Sequence, residues 1–197
     1  MFVYSKIPHS ISKKESLQCW DELRGGSREA LNKLFRNYYS LLNDYGSRFT
    51  ANKEVVKDGI QKLFLRLWKR HERLSKAESV ESYLLISLRR ILLRKLKSQR
   101  KRYERNKIYL DNQFSESFVL EDIAIKGGLG RGKKIKLLKA INSLNGRQKE
   151  ALFLRYYNGL VNKEIAKVMG INIQSVRNHL YRAIKSLRTI LDDRILE

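Results

Sequence analysis

The densest chemistry in this chain is a run of one sign. From Arg89 to Lys107 the sequence carries Arg89, Arg90, Arg94, Lys95, Lys97, Arg100, Lys101, Arg102, Arg105 and Lys107 against a single carboxylate, Glu104. A solvated helix face ordinarily mixes both signs, so a face of one sign suits a polyanion, and phosphate contact is the chemistry it offers. A second stretch, "NKEIAKVMGINIQSVRNHLYRAI" (162–184), suits a different task. It reads as two short helices around a tight turn. Asn162 is placed to cap the first, Ala166 is small enough for a close crossing, Gly170 favours positive φ, and Asn172 is placed to cap the second. On the second helix Val176, Leu180, Ala183 and Leu187 make an apolar side, while Gln174, Ser175, Asn178, Arg182 and Lys185 point away from it. A recognition helix in a major groove needs this division: one side to dock and one side to meet base edges and phosphates.

Other chemistries find little support. Gly127, Gly132 and Lys133 satisfy Gly-x-x-x-x-Gly-Lys, but the next residue is Lys134, where a phosphate-binding loop needs Ser or Thr to hold magnesium. A flexible glycine joint is the better account. His9, His71 and His179 show no ligand spacing with a cysteine or with one another, so neither a metal nor a cofactor is expected. Cys19 is the single cysteine, which excludes an intrachain disulfide and fits a reducing cytoplasm. Nothing singles out a nucleophile among the ten tyrosines, so no enzyme is expected.

These sites need helices to hold them. Proline occurs once, at Pro8, and apolar residues recur at helical spacing almost everywhere after residue 15, which predicts an all-α fold. The first helix carries Leu17, Trp20 and Leu23 and stops at Gly25-Gly26. Ser27 is placed to cap the second, striped by Leu31, Leu34, Phe35, Tyr38, Leu42 and Tyr45. Asn52 is placed to cap the third, with Val56, Ile60, Leu63 and Leu67 on one side. The fourth starts near Val80 and sets Leu84, Leu88, Ile91, Leu92 and Leu96 against the basic stripe. Four such helices can share one core. Downstream, Asn145 and Gln148 form a capping-box pair ahead of a helix that ends at Asn158-Gly159.

The charge pattern marks the seams. The net charge is +22, and after the basic run residues 108–125 carry four acidic residues and no basic one before the glycines of "KGGLGRGKK". Two small helical domains joined by a flexible linker are therefore expected: a disordered tail at 1–14, a domain at 15–107, a linker at 108–132 and a domain with a helix-turn-helix at 133–193. No apolar run approaches a membrane span and the start lacks a secretory signal, so a cytoplasmic location is expected.

On these residues the chain resembles the sigma-70 superfamily of bacterial transcription initiation factors, in its extracytoplasmic-function (ECF) group. "KDGIQKLFLRLWKR" matches that family's Asp-x-x-Gln-x-x-Phe-x-x-Leu-Trp at Asp58, Gln61, Phe64, Leu67 and Trp68, and "SVESYLLISLRRILLRKLKSQRKR" matches the helix that follows in its region 2. "LNGRQKEALFLRYYNGLVNKEIAKVMGINIQSVRNHLYRAIKSLR" is similar to its region 4. The resemblance implies a subunit that binds core RNA polymerase through Asp58, Gln61, Phe64, Leu65 and Trp68. It implies contact with the minus-ten promoter element through Arg89, Arg90, Arg94, Lys97 and Lys101, and with the minus-thirty-five element through Gln174, Ser175, Arg177, Asn178, His179 and Arg182. The loop from about Lys76 to Ser82 sits where the family pockets a base extruded from the minus-ten duplex. An anti-sigma protein is a further partner the family commonly has. The chain departs from the family pattern at Tyr83, Arg90 and Arg94, where Trp, Asn and Asp are usual, and at Gly59, which costs about 1 kcal/mol against Ala in a helix. The rival reading is a stand-alone LuxR-type helix-turn-helix regulator, which would carry a strand-containing receiver or sensory domain upstream.

Overall fold

A computed structural model of the chain describes residues 11–104 and 131–192, with side chains over 11–99 and 137–189. The expected tail lies outside the described residues up to position 10, as does the expected linker up to position 130. No strand occurs among the described residues. The described residues fall into two units, 11–104 and 131–192.

The first unit holds four helices: α1 (Lys13–Arg24), α2 (Arg28–Gly46), α3 (Lys53–Lys69) and α4 (Val80–Glu104), with a 3-10 turn at His71–Arg73. Helix α1 starts earlier than the spacing of its apolar residues suggests, because Ser12 and Glu15 form a capping box. The Ser12 hydroxyl accepts from the Glu15 N–H at 3.2 Å, and the Glu15 carboxylate accepts from the Ser12 N–H at 2.6 Å. That backbone donor is the main reason the Glu15 carboxyl titrates below its ordinary range. The two predicted caps of this unit hold. Ser27 Oγ accepts from the Ala30 N–H, and Asn52 Oδ1 accepts from the N–H groups of Glu54 and Val55, each cap contributing about 1 kcal/mol.

Trp20, Leu23, Leu34, Leu42, Tyr45, Ile60, Leu84, Leu85, Leu88 and Leu92 fill the core of this unit and are almost fully buried. Each contributes roughly 1.5–3 kcal/mol relative to exposure. Leu31, Phe35 and Leu96, expected inside, are half-buried. Gly59 earns its helical position by packing: an added Cβ would stand 2.9 Å from Leu92 Cδ2 and 3.3 Å from Leu88 Cδ1. The glycine lets α3 and α4 cross closely.

The second unit holds α5 (Arg131–Asn142), α6 (Gly146–Leu152), α7 (Asn162–Met169) and α8 (Ile173–Asp192). Asn145 and Gln148 form the expected capping box, with bonds of 3.0 and 3.1 Å. Helix α6 runs on into a π turn, Phe153–Tyr157, closed by the Asn158 N–H donating to the Phe153 carbonyl. Gly159 then turns the chain at φ 70°. Asn162 does not cap α7. It is the first helical residue, and the Glu164 carboxylate accepts from the Val161 N–H at 3.0 Å instead. The N–H groups an Asn162 cap would have served, those of Glu164 and Ile165, donate instead to the Val161 carbonyl at 2.9 and 3.0 Å. Gly170 closes α7 in the left-handed region, φ 67° and ψ 40°, and Asn172 Oδ1 accepts from the Ser175 N–H at 2.7 Å to cap α8.

Candidate nucleic-acid interface

Helix α4 presents three of its cations in one direction. Arg90, Arg94 and Lys97 are exposed, and at about 100° per residue they fall on one side, opposite Leu85, Leu88 and Leu92. Tyr83 joins them from the first turn, a residue 38% exposed whose ring packs edge-on against Trp20 at 4.7 Å between centroids. Arg89 is half-buried and points about 100° away from Arg90, so it stands apart from this face. The side chain of Lys101 lies outside the described residues. Lys95, which the basic run also contains, is turned toward α3, where its ammonium lies 2.9 Å from Asp58 Oδ2.

The expected loop before α4 is shorter than its sequence suggests. Val80 to Ser82 are the first turn of the helix and are buried, because Ser79 ends the loop: its hydroxyl accepts from the Ser82 N–H at 3.2 Å and its carbonyl accepts from the Tyr83 N–H at 3.1 Å. Lys76 and Glu78 are exposed, and Ala77 and Ser79 are half-buried.

On α3, Asp58, Gln61, Leu65 and Trp68 share one stripe at steps of three and four residues. Leu65 is 59% exposed, an apolar side chain that nothing in this unit covers. Trp68 is half-buried, stacked on His71 with ring centroids 5.0 Å apart, with the Arg28 guanidinium 5.4 Å from the centre of its ring. Phe64 does not belong to that stripe. It is 6% exposed and meets Phe35 of α2 edge-on at 5.1 Å, so its ring serves the core and is not available to a partner.

Helix α8 shows the two-sided character its sequence predicts. Val176, Leu180 and Ala183 are buried and Leu187 is half-buried, while Gln174, Arg177, Asn178 and Arg182 are exposed and Ser175 and His179 are half-buried. Gln174 Nε2 donates to Asn178 Oδ1 at 3.2 Å, which orders two amide groups along the outward face. The His179 imidazole titrates below its ordinary range, first because burial disfavours its charged form and then because Arg147 and Arg182 repel a further cation. Sequence reasoning passed over Tyr181, which is 67% exposed. Its signal was its place four residues after Arg177 and three after Asn178 on the outward stripe.

This arrangement can hold phosphate with one helix and meet base edges with another. Known proteins show which family shares this arrangement of helices. The family model for sigma-70 region 2 matches residues 34–102, and that for sigma-70 region 4 matches residues 134–187. The ECF RNA polymerase sigma factor BldN of Streptomyces coelicolor is 26% identical over 179 residues, covering 88% of this chain and 64% of BldN. The ECF RNA polymerase sigma factor SigK of Mycobacterium bovis is 25% identical over 134 residues, covering 67% of this chain and 70% of SigK. A solved structure of CnrH in complex with the cytosolic domain of CnrY shares the fold, with a TM-score of 0.60 at 16% identity over 91% of this chain and 98% of CnrH. The LuxR-type alternative finds no support, since the upstream unit is helical among its described residues and matches region 2. With its region 2 and region 4 in the family's order, the chain belongs to the sigma-70 family, in the ECF group of RNA polymerase sigma factors.

Proposed function

We propose that this chain is a dissociable, non-enzymatic subunit that binds core RNA polymerase, directs it to promoters and helps open the minus-ten element. The observation that carries the reading is the pairing, in one chain, of a single-sign face on α4 with a separate base-reading face on α8. Each surface alone binds DNA modestly. Held together on one polymerase, the second contact becomes intramolecular and gains effective concentration without tighter bonding at either.

The stripe Asp58, Gln61, Leu65 and Trp68 is the surface for core polymerase, with exposed Leu65 as its apolar centre. The α4 face, through Arg90, Arg94 and Lys97, takes the backbone of the minus-ten element, and residues 74–79 receive an extruded base. Gln174, Asn178 and Arg182, with Arg177, Ser175 and His179 beside them, read the minus-thirty-five element in the major groove. The polymerase performs the chemistry, and the subunit acts in the cytoplasm. The sigma factor RpoE of Bartonella quintana, whose solved structure shares this fold, is seen with the anti-sigma factor NepR, which supports a further partner of the anti-sigma kind.

The test is run-off transcription by purified bacterial core polymerase on a library of upstream genomic fragments, with and without this protein. Discrete transcripts that require both components are the expected result. Specific binding of duplex DNA by the protein alone, with no dependent transcript, would overturn it.

A further inference from the structure

Two side chains of α1 reach across the first unit to the backbone of the segment that precedes α4. Trp20 Nε1 donates to the Ser75 carbonyl at 3.0 Å, and Arg24 Nε donates to the Leu74 carbonyl at 2.7 Å. The guanidinium is itself aimed, because Arg24 Nη1 donates to Asp21 Oδ1 at 2.8 Å. The same indole braces Tyr83, on the far side of the segment, by its edge-on contact. Segment 74–79 is thus pinned at its start by α1 and at its end by the Ser79 bond to α4. Between these pins Lys76 to Ser79 remain exposed or half-buried.

A tryptophan 1% exposed needs a partner for its N–H, and many acceptors would serve. Here the acceptor lies 55 residues away on an exposed segment, with an arginine from the next turn of the same helix on the adjacent carbonyl. Two neighbouring carbonyls held by two side chains fix the direction of that backbone, not merely its depth. Residues 13–24 also fall outside the match to region 2, which begins at residue 34.

We propose that Trp20 and Arg24 are positioning residues for segment 74–79, holding it in the shape that receives a base extruded from the minus-ten element. The inference rests on the assignment of that segment as the base pocket. A base leaves its stack at a cost that a pocket offsets only if the pocket is already formed, since a slack loop would have to be ordered at the same moment. On this account α1 aids promoter opening without touching DNA.

The test is the rate of promoter opening by holoenzyme on templates whose non-template strand is intact or carries one abasic site, scanned through the minus-ten element. Wild type should open markedly more slowly at one abasic position, which locates the extruded base. Trp20→Phe and Arg24→Gln should each slow opening of the intact promoter about 2- to 10-fold. At the abasic position they should add no further loss, because the interaction they support is already gone. Affinity for core polymerase should be unchanged, and Arg24→Lys, which keeps a donor, should recover part of the rate. Since Trp20 is deeply buried, the half-buried Arg24 pair carries the test if Trp20→Phe lowers the melting temperature. Equal losses on intact and abasic templates would mean a general structural role and overturn the proposal. Wild type indifferent to every abasic site would instead remove the base-pocket assignment, and the proposal with it.

Discussion

The two DNA-facing helices differ in kind. The face of α4 is a row of cations, Arg90, Arg94 and Lys97, with one aromatic ring at its start. That of α8 alternates amides with arginines, and two of its amides are already bonded to each other. Cations without amides attract phosphate whatever the sequence, whereas oriented amides discriminate between base edges. The difference teaches a division of labour: α4 supplies grip and α8 supplies selection. The cores behind them differ to match. Helix α4 is brought onto α3 by a glycine, Gly59, whereas the small residue buried on α7 is Ala166.

The largest expected effect tests the grip. Replacing Arg90 and Arg94 together by Ala should flatten the salt dependence of promoter binding by about 1.4–1.8 in slope and weaken binding roughly 30-fold at 0.1 M salt. Binding titrations at several salt concentrations read both. Next comes the selection. Asn178→Ala should cost about tenfold in discrimination at one minus-thirty-five base pair and leave the salt slope unchanged, as read by competition among single-base variants. If either variant behaved like the other, the division would fail.

A smaller effect probes the crossing behind the grip. Gly59→Ala removes a helix penalty of about 1 kcal/mol but drives a methyl into Leu88 and Leu92, which costs about 1–3 kcal/mol, so a net loss near 1 kcal/mol is expected in denaturant unfolding. The smallest concerns His179. Its pKa in the folded protein lies below 6.5, so above that value it is neutral in both states and has no influence. As pH falls from 6.5 toward the lower folded value, the unfolded chain takes up a proton first, so this group progressively destabilises the fold. Phosphate nearby favours the imidazolium, so DNA binding should take up a proton and tighten a few-fold as pH drops from 7 to below 6. His179→Gln should abolish that dependence in titrations at matched ionic strength.

Much of this was legible locally. Caps at Ser27, Asn52, Asn145 and Asn172, and the turns at Gly159 and Gly170, are decided within three or four residues and could be read from the chain. The apolar stripe of α4 and its basic opposite were readable by period alone. What escaped was long-range. Phe64 is taken into the core by Phe35 on another helix, Asp58 meets Lys95 across 37 residues, and Trp20 reaches Ser75 across 55. No helical period records such partners. Asn162 escaped for a different reason: the helix starts one residue earlier than its cap residue suggests, so the Val161 carbonyl takes the N–H groups of Glu164 and Ile165.

The central claim is that one chain grips two promoter segments only when joined to polymerase. Hydroxyl-radical footprinting of a promoter with this protein, with core polymerase, and with both tests it most directly. The account predicts two protected segments, around the minus-ten and minus-thirty-five elements, only when both are present, with Arg90→Ala/Arg94→Ala weakening the first and Asn178→Ala the second. The same footprint from the protein alone, or protection of a single segment by the complex, would contradict it.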